Sequence, residues 1–207
     1  VLFGNGQRLA LGRVAAALGQ RALICTDGRF AATAEMSELL AALEGAGVRV
    51  QVYDRTQPDL PVEGVYECVA AHRAFQPEVI VGLGGGSCLD MAKLVSLLLT
   101  HGGQGSDYYG EYKVPGSVIP VIAMPTTSGT GSEVTPVAVL ADSARDLKVG
   151  VSSPHLIPHT AICDPELTLT CPKGLTAIAG ADALTHAIEA LTAVRRNPDA
   201  DIAQTRV

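Results

Sequence analysis

Val79-Ile80-Val81-Gly82-Leu83 is an unbroken apolar run that empties into Gly84-Gly85-Gly86-Ser87, after which a helical pattern starts at Cys88. A buried strand that ends in side-chain-free backbone and turns into a helix is a device for holding phosphate. Glycines let the chain turn sharply and bring N–H groups close to an anion, and the helix N-terminus adds partial positive charge. The run is not a Walker loop, because no Gly-Lys-Ser/Thr follows. It is not a full dinucleotide fingerprint either, since Gly82-Leu83-Gly84-Gly85-Gly86-Ser87 ends in Ser. Taken alone, the loop reads equally as a tight turn.

Outward from this strand the same rhythm repeats. Residues 21–26 and 48–53 read as strands, separated by a helix over 35–44 whose apolar face is Met36, Leu39, Leu40 and Leu43 and which Gly45 and Gly47 end. Residues 62–75 and 88–99 read as helices, and 118–124 as a strand. Strand–helix alternation predicts an α/β fold, a Rossmann-like parallel sheet with helices on both faces. Ligands on such sheets sit beyond the carboxyl ends of the strands, where Gly84 to Ser87 lies. Residues 136–141 and 148–152 read as short extended pieces, a hairpin over the sheet edge, and 161–163 as a last strand. From Leu175 onward the pattern is only helical. The expected division is therefore an α/β domain over 1–172 and the beginning of an all-helical second domain over 173–207.

The chain has 207 residues, 47% hydrophobic and 17% charged, with a formal net charge of -6, which argues against a nucleic-acid backbone or an anionic membrane as the main partner. No apolar run approaches the ~20 residues of a membrane span. Cys25, Cys68, Cys88, Cys163 and Cys171 are scattered and lack CxxC spacing, so they read as reduced thiols of a cytoplasmic protein. The N-terminus has no Met and no signal-peptide pattern, and Arg206-Val207 carries no helix stop signal, so the chain is expected to be part of a longer polypeptide.

Four segments carry candidate chemistry. Asp27 follows the strand over 21–26, and it reads either as a turn residue or as an acceptor for a ribose hydroxyl that repels a 2′-phosphate. In the glycine loop, Gly85, Gly86 and Ser87 offer donors. Asp90, three residues after Ser87, reads as a reciprocal cap or a ligand contact, and Lys93 as a solvated helix residue. Pro125-Thr126-Thr127-Ser128-Gly129-Thr130-Gly131-Ser132-Glu133 places hydroxyls at a second strand end, suited to phosphates and sugars or to an ordinary surface loop. Two such loops at neighbouring strand ends form a cradle for a large phosphorylated ligand. Asp182 and His186, four apart, share one helix face and suit one divalent cation, or a simple Asp–His hydrogen bond. His72, His101, His155 and His159 lack ligand spacing and read as surface or loop residues.

Gly84-Gly85-Gly86-Ser87-x-x-Asp90-x-x-Lys93, then Pro125-Thr126-Thr127-x-Gly129-Thr130-Gly131-Ser132-Glu133, then Asp164-Pro165-Glu166-Leu167, then Gly180-x-Asp182-Ala183-Leu184-Thr185-His186-x-Ile188-Glu189 together resemble the iron-containing (group III) alcohol dehydrogenase family, within the dehydroquinate synthase-like superfamily. The resemblance implies an N-terminal domain that binds NAD(P) and a helical domain that holds a metal. It assigns Gly85, Gly86, Ser87 and Asp90 to the pyrophosphate loop and Thr126, Thr127 and Thr130 to the second cofactor loop. Lys148 resembles the lysine that reaches the cofactor ribose. Asp59 stands where many members have Asn, and Asp27 resembles the acid that favours NAD over NADP. Asp182 and His186 match the first two of four metal ligands, the other two being histidines further along the family's helical domain. The implied activity is hydride transfer between NAD (or NADP) and a primary alcohol or aldehyde at Fe2+ or Zn2+, in a protein that is homo-oligomeric when full length. Two rivals stand beside it: a metal-independent reductase such as a maleylacetate reductase, and a nucleotide-binding module without catalysis of its own.

Overall fold

The computed structural model describes residues 1–193. Its strands are β1 (Leu2–Phe3), β2 (Arg21–Cys25), β3 (Arg49–Tyr53), β4 (Val79–Gly84), β5 (Gly110–Glu111), β6 (Val121–Pro125), β7 (Val137–Asp142), β8 (Leu147–Ser152) and β9 (Thr160–Cys163). Its α-helices are α1 (Leu11–Ala16), α2 (Gly28–Ala31), α3 (Ala34–Gly45), α4 (Val62–His72), α5 (Gly86–His101) and α6 (Lys173–Thr192). The main sheet has the order β1-β9-β6-β4-β2-β3 and every pairing in it is parallel.

Alternation along the strands feeds two cores. Leu23, Cys25 and Ile80 face one side, where they pack with Val65, Cys68 and Val69 of α4 and Leu94, Val95 and Leu98 of α5. Ala22, Ile24, Val79, Val81 and Leu83 face the other, against Leu11 and Ala15 of α1 and Met36, Leu39 and Leu43 of α3. A strand buried on both faces must be apolar throughout, which is why β4 reads as a continuous run. After β2 the chain steps outward to β3 and then returns across β2 to β4. The strand order thus reverses between β2 and β4, the kind of crevice where ligands of open parallel sheets collect.

The hairpin β7–β8 corrects one expectation. It does not extend over the sheet edge; with β5 it forms a second sheet, order β5-β8-β7, packed on the outer side of α5. Ala138, Leu140 and Val151 join the same core as α5. Helix α5 is therefore sandwiched, apolar on nearly every face, and it begins at Gly86, earlier than its sequence pattern suggests, because Gly85 is the extended N-cap residue. His72 is likewise not a surface residue: it is buried in α4, its Nδ1 2.9 Å from the Cys68 carbonyl. Helix α6 begins at Lys173, where the second domain is expected; residues 194–207 of that expected domain lie outside the described residues. Among the described residues no helix is long and apolar enough to cross a membrane.

Candidate functional site

Three adjacent parallel strands, β2, β4 and β6, deliver their carboxyl ends to one place. Behind β2 stands Asp27, which caps α2 by accepting from the Phe30 N–H at 2.9 Å through Oδ1. Behind β4 the chain passes Gly84 at φ 148°, a conformation other residues rarely adopt, and a Cβ there would lie 2.6 Å from Cys88 Sγ. Among the described residues no side chain caps the N-terminus of α5. Cys88 N bonds Gly85 O at 2.9 Å, which leaves the N–H groups of Gly86 and Ser87, both lining the crevice, without an intrahelical partner. Behind β6 comes the hydroxyl-rich loop, tied to the glycine loop by a hydrogen bond from Thr126 N to Gly84 O of 2.9 Å.

The two loops meet closely. A Cβ on Gly86 would sit 2.8 Å from Thr130 Cγ2, and one on Gly85 3.6 Å from the Thr127 side chain. Gly129 touches the opposite wall: a Cβ there would lie 2.6 Å from the Ala179 carbonyl oxygen of α6. At Gly129 the approach is to backbone and only glycine permits it; at Gly86 a Cβ would press on the Thr130 side chain, and at Gly85 it would make an ordinary contact. Between the walls runs a cavity of about 540 Å³ lined by Asp27, Gly85, Gly86, Ser87, Thr127, Thr130 and Asp182, among others. It continues into a larger one of about 1220 Å³, which shares Gly86, Ser87, Thr130 and Asp182 and adds Asp59, Asp90, Lys148 and His186.

Nearly every candidate residue thus opens onto one crevice. Thr126 does not: it is buried beneath the loop, and among the described residues its hydroxyl has no hydrogen-bond partner. Asp90 reaches the crevice wall, but its carboxylate faces inward. Oδ1 accepts from the Ser132 hydroxyl and Oδ2 from Val139 N at 3.0 Å, so it is not the helix cap its spacing suggested. Lys93 overturns its expectation outright. It is fully buried, and its Nζ donates to Ser132 Oγ at 2.9 Å, Thr135 O at 3.0 Å and Val137 O at 2.7 Å. The signal was present in the sequence. Residues 88–99 are apolar on almost every face, and a lysine inside a helix buried all round has to be buried too.

At the far end Lys148 pairs with Asp59 at 2.5 Å, both side chains largely exposed. Asp59 and Leu60 both take positive φ, 63° and 50°, a strained pair of non-glycine residues that aims Asp59 at the lysine. Cys88, at the crevice floor, has its thiol pushed up to about 12 by burial and by the neighbouring Asp27 carboxylate, so it offers no nucleophile near neutral pH.

The model of one protein family, iron-containing alcohol dehydrogenase, matches residues 1–165 of this chain. The chain belongs to that family. It is 41% identical over 182 residues to the NAD-dependent methanol dehydrogenase of Bacillus methanolicus, covering 88% of this chain and 48% of that protein. It is 38% identical over 183 residues to the sulfoacetaldehyde reductase of Bilophila wadsworthia, covering 88% of this chain and 47% of that protein. A crystal structure of 1,3-propanediol oxidoreductase superposes with a TM-score of 0.94 at 34% identity, over 98% of this chain and 53% of that one. The chain thus spans about half the length of these relatives.

Membership in the iron-containing alcohol dehydrogenase family implies NAD(P) and a divalent metal, and the residues fit both in part. For a dinucleotide there are an uncapped helix N-terminus, hydroxyls opposite it and a floor that a Cβ at Gly86 would obstruct. For a metal, Asp182 Oδ1 and His186 Nε2 stand 3.7 Å apart on one face of α6. Two ligand atoms each ~2.1 Å from one tetrahedral ion lie ~3.4 Å apart, so this pair needs little adjustment to share one. Among the described residues no group of three or more His, Cys, Asp or Glu side chains converges to hold a metal.

Proposed function

We propose that this chain forms the nucleotide-binding wall, and the first turns of the metal-binding wall, of an NAD-linked oxidoreductase acting on a primary alcohol or aldehyde. One observation carries the reading: Ser87, Thr127 and Asp27 share a single crevice that Asp182 overlooks from the opposite side. Each residue has a role in it. The N–H groups of Gly86 and Ser87 donate to the diphosphate, helped by the dipole of α5, while the Thr127 and Thr130 hydroxyls bind it from the other side without adding charge. Thr126, whose side chain is buried below the loop, contributes through the backbone fold.

Asp27 has spent Oδ1 on its helix cap, and its Oδ2, which accepts only a weak bond from the Cys88 thiol at 3.9 Å, keeps capacity for a ribose hydroxyl. Its negative charge favours NAD over NADP, although Arg29 Nε, 4.0 Å away, weakens that bias. Lys148 and Asp59 take the second ribose at the opposite end. Asp182 and His186 hold a divalent ion, Fe2+ or Zn2+. When bound, the nicotinamide accepts or supplies the hydride and the ion stabilises negative charge on the substrate oxygen. The chain's own residues bind, orient and exclude water; no side-chain nucleophile is required. The reading places the domain boundary at 172–173, the protein in the cytoplasm and the complete enzyme in a homo-oligomer.

Gly86→Val tests the cradle directly. Its added side chain collides with Thr130 and fills the floor between the loops. Calorimetric titration is expected to give NADH binding to the unaltered protein and a loss of at least about tenfold in the variant, with the circular dichroism of the fold kept. Undiminished binding in Gly86→Val rules out the cradle. On the anaerobically Fe2+-loaded protein, NADH formation from a panel of primary alcohols tests the activity; binding without turnover favours the non-catalytic module.

A further inference from the structure

Behind the crevice wall lies a buried polar cluster that cofactor contact does not explain. Lys93 Nζ reaches Ser132, Thr135 and Val137, and Asp90, one turn earlier on α5, holds Ser132 and Val139. The two charges are 3.7 Å apart. Every one of these partners lies in residues 132–139, which run from the second loop into β7. Burial pushes the pKa of Lys93 down and that of Asp90 up, and their mutual attraction opposes both shifts. A buried ion pair is a weak source of net stability, because apolar side chains of similar volume pack as well. What distinguishes this pair is direction: α5, whose first turn is the glycine loop, grips the second loop from below.

Taking the crevice as a nucleotide cradle, as proposed above, we infer that Lys93 and Asp90 are positioning residues that lock the loop bearing Thr127 and Thr130 to the helix bearing Gly86 and Ser87. The two halves of the cradle are then one preassembled unit before any nucleotide arrives. The join has little slack, since a Cβ on Gly86 would already be 2.8 Å from Thr130. A loop that drifts by an ångström loses the geometry that several simultaneous hydrogen bonds need. Asp90 serves the site from behind, with both oxygens occupied by the protein.

Lys93→Met keeps the stem and removes the ammonium. Lys93→Met/Asp90→Asn removes both charges, so that no buried carboxylate is stranded. Ser132→Ala deletes the shared hydroxyl with the least risk to folding. Hydrogen exchange of the nucleotide-free protein reads the lock itself; calorimetry with NADH and with AMP reads its consequence. Amides of residues 130–139 are expected to exchange about tenfold faster or more in the Lys93 variants, with β2 and β4 unchanged. NADH binding is expected to weaken about tenfold or more, whereas AMP, held by Asp27 and the end of α5, changes by less than about twofold. Ser132→Ala is expected to fall between, and it decides alone if both Lys93 variants fail to fold. Unchanged exchange over 130–139, or exchange that rises across the whole sheet with AMP and NADH lost together, overturns the lock. Should the unaltered protein bind neither nucleotide, the cradle reading fails, and the exchange measurement still decides whether Lys93 and Asp90 fasten the loop.

Discussion

The two helices that face each other across the crevice are held in opposite ways. Helix α5 buries ten of its sixteen residues between two sheets, Lys93 among them. Against the described residues, helix α6, at twenty residues, buries only Ala179, and leaves Leu175, Ile178, Leu184, Ile188 and Leu191 uncovered by them. The α5 wall gets its shape from packing on all sides, so its loops are placed by the core of the domain. The α6 wall meets the described residues chiefly where Ala179 abuts Gly129. Precision in this crevice is therefore unequal: the glycine-loop wall is fixed by burial, and the Asp182–His186 face by helical spacing and one close backbone contact.

The contrast is broken most severely by making the same deletion on each wall. Ile80, wholly buried in β4, loses about 2–5 kcal/mol of stability on replacement by alanine, from lost transfer energy and the cavity left behind. Ile178 of α6 is 68% exposed, and Ile178→Ala is expected to stay within about 0.5 kcal/mol. Urea unfolding compares the two, and equal losses would show that α6 is as firmly embedded as the sheet.

Added volume gives the next largest effect. Gly82 of β4 lies against α5: a Cβ there would meet Ala92 Cβ at 2.9 Å, Leu89 Cα at 3.1 Å and the Cys88 carbonyl at 3.2 Å. Gly82→Ala is expected to lower global stability by about 1–3 kcal/mol through overpacking. Gly129→Ala is just as crowded, at 2.6 Å from the Ala179 carbonyl, but the neighbour it pushes is a helix with little else holding it. There the expected result is faster amide exchange in α6 with the midpoint of sheet unfolding nearly unchanged. A large fall in that midpoint would mean α6 contributes to the core after all.

The turn that follows β9 is expected to respond to pH. Asp164 follows β9, its side chain fully buried, where it accepts from Arg8 N at 3.0 Å, Glu166 N at 3.1 Å and the Arg8 guanidinium at 3.1 Å. Burial alone would raise its pKa; these hydrogen bonds outweigh burial and hold it below the ordinary carboxylate value. The sign follows: its contribution is present in full above the unfolded pKa of about 3.9 and is lost as pH falls through the lower folded value. Asp164→Asn is expected to cost about 1–3 kcal/mol at neutral pH and to flatten the acid limb of the stability–pH curve. An unchanged acid limb would show that other carboxylates govern it.

The same contrast decides what could be read without coordinates. The strand–helix order, both loops and their convergence followed from apolar runs that end in glycine and hydroxyl residues, because local pattern and tertiary burial agree there. The burial of Lys93 is readable from the apolar helix around it, but its partners and those of Asp90 lie 39 to 49 residues away, on a loop and a strand whose position depends on the second sheet. Short-range rules offered an exposed lysine and a reciprocal cap, and long-range packing overrode both. The hairpin β7–β8 failed for the same reason: its alternation identifies strands and not the surface they cover. Asp59 was legible as a residue but not as a partner of Lys148, since its positive φ depends on the surrounding turn.

The smallest effect on stability is expected at the pair proposed to hold a cation. Asp182 and His186 are 42% and 52% exposed at the side chain, given in that order, and 3.7 Å apart, too open and too long to act as a strong ion pair. Exposed i,i+4 pairs contribute a few tenths of a kcal/mol, so Asp182→Ala is expected to shift unfolding by less than about 0.5 kcal/mol. A residue kept for packing would not combine that silence with a measurable loss elsewhere. Calorimetric titration with Zn2+ supplies the second reading: binding present in the unaltered protein and weakened about tenfold or more by Asp182→Ala assigns the pair to a cation. If Asp182→Ala destabilises the fold strongly and leaves Zn2+ binding intact, the pair belongs to the scaffold, and the difference between the two walls disappears with it.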